Sequence, residues 1–196
     1  MSVAYVCGNG PSLSLRALEN LDGPVYGVNR IWKLPGWKET TWRPSYYVRC
    51  EVPSYNIEHV REDLLNMADF NGTMYLQAGF RGLEHGKLLT AMGPHTRIEY
   101  FETACDGTEP HPWHLPGICG YGTVVHVAMQ IAVMNGATKI RLLGCDLGLP
   151  THFYGEEGAA NDDLARRAHQ LAAISCPVPV EDWGTGNLSM YGDDNG

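Results

Sequence analysis

Val3-Ala4-Tyr5-Val6-Cys7-Gly8-Asn9-Gly10-Pro11-Ser12-Leu13 is the stretch whose reading decides the fold. A short apolar run ends in a glycine-rich turn and passes into a helical pattern, so it reads as strand, tight loop, helix. Such a loop aims backbone N–H groups and the positive end of a helix at a ligand, and the ligand it suits is an anion, most often a phosphate. Gly8 and Gly10 permit a close backbone approach that a Cβ would obstruct. Pro11 sets φ, and Ser12 is the expected cap of a helix over Leu13–Leu21. An ordinary strand-to-helix turn fits these residues too, so the rest of the chain has to decide.

Working outward, strand signals recur with helical patterns between them. Strands are expected at Val3–Cys7, Val25–Val28, Tyr46–Arg49, Thr73–Gln77, Arg97–Phe101 and Ile140–Cys145, and at Pro177–Glu181, whose prolines suit an edge. Helices are clearest at Leu13–Leu21, Thr123–Asn135 and Asn161–Ser175. This alternation predicts an α/β domain, a mostly parallel sheet with helices on both faces. Residues 1–192 form one domain in this reading, and residues 193–196 a frayed tail. The stretch 102–121 breaks every period, and it and 148–160 are expected to be lid or binding loops.

The chain has 196 residues and a formal charge of −8. That charge argues against broad binding to nucleic acid or to an anionic membrane surface, although local amides and arginines suffice for a nucleotide. No apolar run approaches the roughly 20 residues of a membrane span, and no signal segment precedes the first strand, so a cytoplasmic protein is expected. The cysteines, Cys7, Cys50, Cys105, Cys119, Cys145 and Cys176, are expected to be reduced thiols. His111 and His114 with Cys105 and Cys119 fit no common metal-ligand spacing.

Four polar clusters fall just after predicted strands: Gly8–Ser12, Gly27–Arg30, Arg49–Glu51, and Gly144–Leu147 with Thr151 and His152. A fifth, Gly120-Tyr121-Gly122-Thr123, opens the longest helix. In an open parallel sheet, ligands bind beyond the carboxyl ends of the strands, where strand order reverses. Clusters of this kind in one chain therefore converge on one site.

The motif order, from Gly8-Asn9-Gly10-Pro11-Ser12-Leu13 through Val28-Asn29-Arg30 and Gly120–Thr123 to Leu143-Gly144-Cys145-Asp146-Leu147, resembles a known superfamily. It comprises the MptE-like 6-hydroxymethylpterin diphosphokinases and the bacterial sialyltransferases that use CMP-sialic acid, both built on a Rossmann-like domain. The resemblance implies that Gly8, Asn9, Gly10, Pro11 and Ser12 hold a nucleotide phosphate or ribose. It further implies that Asn29, with Arg30 beside it, contacts the nucleotide, and that Gly120, Gly122 and Thr123 meet the phosphate. Asp146 and His152 fill the places of the Gly-x-Asp-Leu strand end and the histidine after it. The implied activity is a nucleotide-dependent transferase acting on a nucleotide-activated sugar, with a CMP-sugar favoured, and a hydroxyl acceptor. Histidine suits the acid/base role near neutral pH. No cofactor is firmly implied. In a diphosphokinase, the alternative, Asp146 would help hold Mg²⁺. A nucleotide-binding protein without turnover is a third reading. Relatives often form homo-oligomers.

The chain departs from the family in two ways. Arg49 and Glu51 stand where many diphosphokinases carry an aspartate, and Gly148–Ala160 is short for a sialyltransferase lid. Arg30 and Arg49 suit bidentate phosphate binding or pairing with an acid such as Glu51. Trp32, Trp37 and Trp42 are expected to be buried, and His126 to be a packing residue.

Overall fold

The structure is a computed structural model that describes residues 2–50, 57–81, 92–105, 113, 117–120, 123–146, 152–155 and 162–184. Its strands are β1 (Val3–Cys7), β2 (Val25–Val28), β3 (Tyr46–Arg49), β4 (Thr73–Gln77), β5 (Arg97–Cys105), β6 (Gly117–Cys119), β7 (Lys139–Leu143) and β8 (Val180–Asp182). They form one sheet in the order β6-β5-β4-β3-β2-β1-β7-β8. Every pairing is parallel. Its α-helices are named here α1 (Leu15–Leu18), α2 (Ile57–Asn66), α3 (Val124–Met134) and α4 (Asp162–Ser175). The expected α/β architecture is present, and all eight strands are parallel rather than most of them.

Parallel strands with helices on both faces bury both of their sides, so the central strands read as continuous apolar runs. Alternate residues of β1 serve separate cores. Ala4 and Val6 face Tyr26, Val28, Val48, Ile140 and Leu142 under α3. Tyr5 and Cys7 belong to the other face, with Tyr47, Met74 and Leu143, and with Val60 and Leu64 of α2. Trp32 and Trp37 are buried in that second core and Trp42 packs against it, as expected. His126 is fully buried in α3.

Two buried polar devices pin the sheet, one at its edge strand β6 and one at its central strand β3. Gln130 of α3 donates to the Cys119 carbonyl at 2.6 Å and accepts from the Cys119 N–H at 2.9 Å, satisfying the edge strand β6 from its side. Asp63 of α2, fully buried, pairs with Arg49 at the end of β3 and accepts from Trp32 Nε1 at 2.8 Å. A buried carboxylate persists only when its lone pairs are met this way.

The structure corrects several expectations. The first helix is a single turn over Leu15–Leu18, capped by Ser14 and not by Ser12. The Ser12 hydroxyl is spent elsewhere, as a donor to Asp146. β7 stops at Leu143 because Gly144 turns left-handed, at φ 58°. Residues 102–105 and 117–119, inside the stretch expected to be a lid, continue β5 and form β6. The last strand begins three residues later than expected, at Val180, and ends one later, at Asp182. α2 was not among the expected helices. Cys119 is disulfide-bonded, which corrects the expectation of six reduced thiols. The strand register sets Cys105 opposite it, while Cys7, Cys50, Cys145 and Cys176 remain thiols. His111, His114 and the tail at 193–196 lie outside the described residues. Among the described residues, no helix is long and apolar enough to cross a membrane.

Burial pushes the thiols upward: Cys145 to about 12, Cys176 to about 11, and Cys7 well above its ordinary value. A folded state that keeps protons the unfolded chain releases loses stability as pH rises through that interval. The urea midpoint should therefore hold near pH 8 and fall steadily from about pH 9 to pH 12. Equal midpoints at neutral pH and at pH near 11 would contradict this burial.

Candidate functional site

Strand order reverses at β1, which lies between β2 and β7 in register from Val3 against Lys139 to Cys7 against Leu143. The loops leaving β1 and β7 are therefore neighbours, and backbone bonds join them. Gly8 N–H donates to Leu143 O at 2.9 Å, and Gly10 N–H to Gly144 O at 2.7 Å. Both glycines are required by contact. A Cβ on Gly8 would stand 2.5 Å from Gly144 O, and one on Gly10 would fall on Asp146 Oδ2.

Asp146 completes the junction. Its Oδ2 accepts from Ser12 N–H at 2.7 Å, and its Oδ1 accepts from the Ser12 hydroxyl at 2.6 Å. Hydrogen bonds to an ionised carboxylate are the stronger kind. Asp146 thus ties the glycine loop to the turn after β7 at the switch point.

The open space lies beside it, over the carboxyl ends of β1, β2 and β3. A cleft of about 360 Å³ is lined by Asn9, Val28, Asn29, Cys50, Gly120, Thr123, Val124, Val125 and His152. Of the residues singled out in the sequence, the structure brings Asn9, Asn29, Gly120, Thr123 and His152 together here. Gly8, Gly10, Pro11, Ser12 and Asp146 are absent from the described lining and build the latch behind it. Arg30 is absent from the described lining, and Gly122 lies outside the described residues. Cys50 and the valines are additions. Their only sequence signal was position, directly beside a predicted strand end or helix start.

Each wall has a local cause. Asn29 adopts φ 45°, a left-handed conformation that asparagine tolerates better than most residues. The Tyr47 hydroxyl holds its carbonyl at 2.8 Å. Thr123 caps α3, its hydroxyl accepting from Val125 N–H at 3.2 Å. The N-terminal turn of this eleven-residue helix therefore borders the cleft and brings partial positive charge to it. Asn9 is only 8% exposed, and the Oδ1 atoms of Asn9 and Asn29 are buried without a hydrogen-bond partner. Acceptors buried in this state call for a donor supplied from the cleft.

His152 reaches the cleft through a short turn. Phe153 N–H donates to Asn9 O at 3.0 Å, tying the turn to the glycine loop, and Gly155 N–H closes it on His152 O at 2.9 Å. The imidazole stacks on Tyr154 at 4.8 Å between ring centres. Arg30 and Lys33 lie over the same Tyr154 ring at 5.8 and 5.2 Å. Arg30 is also 3.9 Å from Asp63, the carboxylate that holds Arg49. Both arginines therefore pair with an acid, as the blander reading had it, but with Asp63 of α2; Glu51 lies outside the described residues.

Among the described residues, no group of three or more His, Cys, Asp or Glu could hold a metal ion. Comparison of the chain with protein-family models, with curated proteins and with solved structures finds no match.

If the latch holds the loop, Asp146→Ala should cost about 2 kcal/mol. That corresponds to a Tm drop of roughly 4–8 °C for a chain of this size. A melting temperature unchanged by the substitution would show that backbone bonds alone keep the loop in place.

Proposed function

We propose that this chain is a nucleotide-dependent transferase that moves a glycosyl group from a nucleotide-activated sugar to a hydroxyl acceptor. One observation carries the reading: two buried, unpartnered amide oxygens, of Asn9 and Asn29, share a cleft with a helix N-terminus and a histidine. The ribose hydroxyls and amino group of a nucleoside supply the missing donors. The first turn of α3 supplies positive charge for a phosphate. The motif resemblance in the sequence favours cytidine as the base.

In this reading the acceptor oxygen attacks the anomeric carbon and the bond from that carbon to the phosphate oxygen breaks. The electron pair leaves with the phosphate, and His152 takes the acceptor's proton. The N–H groups opening α3 stabilise the charge that develops on the departing phosphate. Cys50 and the three valines of the lining form an apolar wall that keeps water from competing with the acceptor.

The diphosphokinase alternative asks for Mg²⁺, which takes carboxylate and phosphate oxygens. The described lining of the cleft contains no carboxylate, and both oxygens of Asp146 are engaged by Ser12. The described residues do not fit that ion, and no step is derived through it.

CMP at about a hundred times its Kd should stabilise the protein by roughly 2.7 kcal/mol. With a CMP-sugar and a hydroxyl acceptor, His152→Ala should lower turnover by about a hundredfold or more while leaving CMP affinity unchanged. Binding without any product from the wild-type chain would favour a sequestering protein. No stabilisation by CMP or any other nucleotide would overturn the nucleotide reading.

A further inference from the structure

A second hollow, of about 570 Å³, opens at the opposite end of the sheet. Tyr46, Thr73, Tyr75, Arg97, Glu99, Tyr100 and Asn135 line it. Tyr46, Thr73 and Arg97 are the first residues of β3, β4 and β5 and stand side by side in the register. Tyr75 and Glu99 form the next row on the same face. α3 packs on this face over β1, β2 and β3 and ends in Asn135 at the hollow's edge. Beyond it, β5 begins Arg97-Ile98-Glu99-Tyr100-Phe101, an alternation of charged and apolar residues where a doubly covered parallel strand would be apolar throughout.

The tyrosine wall is built before any ligand arrives. Asn135 Nδ2 donates to the hydroxyls of both Tyr26 and Tyr75 at 3.1 Å. The ring of Tyr46 stacks on Tyr26 at 4.4 Å and 17°, and lies 6.0 Å from that of Tyr75. Hydrogen bonds thus hold the Tyr26 and Tyr75 hydroxyls, and stacking holds the Tyr46 ring. The opposite wall is the Arg97–Glu99 pair, with Nη2 and Oε1 2.5 Å apart. Within the pair the charges cancel, yet the guanidinium keeps further N–H donors and the carboxylate further lone pairs. The hydroxyls of Tyr46 and Thr73 bond to no other described residue.

From this lining we infer that the β4–β5 face is a saccharide-binding site. Aromatic side chains offer apolar walls to the C–H face of a sugar ring, and a few placed polar groups fix its orientation. Neighbouring sugar hydroxyls, each both donor and acceptor, match a guanidinium beside a carboxylate. An anion would meet Glu99, and a cation would meet Arg97, so the occupant is neutral. The site lies at the amino ends of the strands, away from the nucleotide cleft, and does not depend on the transferase reading.

The test is saturation-transfer NMR on the full chain with millimolar lactose, maltose and cellobiose. At least one should receive magnetisation, with affinity lowered about tenfold or more by Tyr46→Ala and by Arg97→Gln. Addition of CMP and the His152→Ala substitution should leave that signal unchanged. Absence of transfer from all three sugars would overturn the proposal, as would a signal that survives both wall substitutions. A signal displaced by CMP would place the sugar in the other cleft and also overturn it. Arg97 is exposed, so its variant keeps the test valid should Tyr46→Ala fail to fold.

Discussion

The pair of hydrogen bonds from Ser12 to the Asp146 carboxylate is the constraint on which the candidate site depends. In an open parallel sheet the reversal of strand order leaves a crevice that ligands commonly fill. Here Ser12 and Asp146 hydrogen-bond across it. The glycine loop is drawn onto the turn after β7, and the absence of Cβ atoms at positions 8 and 10 lets it come that close. The described cleft lies to one side of this junction, at the ends of β1, β2 and β3 and beside the start of α3. Asn9 is the one residue of the loop that reaches this space within the described lining.

Around that cleft the charge pattern runs against the chain's overall sign. The protein is acidic, at −8, but Arg30 and Arg49 gather at Asp63, and Lys33 lies with Arg30 over the Tyr154 ring. Asp63 belongs to α2, which packs on the face of the sheet opposite α3, and it sets the position of the arginines that follow β2 and end β3. Tyr154 contacts Arg30 and Lys33 and also stacks on His152, so the histidine's ring is held by stacking. A histidine so placed is oriented by aromatic contact and by the tether of Phe153 to Asn9.

Coverage of the sheet differs from strand to strand. β1 is buried on both faces and is apolar throughout, whereas β5 alternates charge with apolar side chains. One helix, α3, crosses the face from the cleft at its first turn to the tyrosine hollow at its last. Its N-cap Thr123 and its C-cap Asn135 thus each touch a cavity. The two sites are separated by the packed core of Val127, Ala128 and Ile131.

Local sequence determined a good deal of this. The apolar run Val3–Cys7 followed by two glycines, and the strand-helix alternation after it, led directly to a parallel α/β sheet, because burial on both faces demands that composition. That Asn9, Asn29, Gly120, Thr123 and His152 share one cleft was legible because each follows a predicted strand or opens a helix. Tertiary structure alone decided which member of each cluster faces the open space. Ser12 lost its capping role because a carboxylate 134 residues away offered a better partner. β6 hid in a stretch that breaks every period, since what satisfies it is the side chain of Gln130 rather than a pattern of its own. Asp63, the hub of the basic corner, gave no local signal at all. Its importance comes from three side chains that meet it only once the sheet has formed.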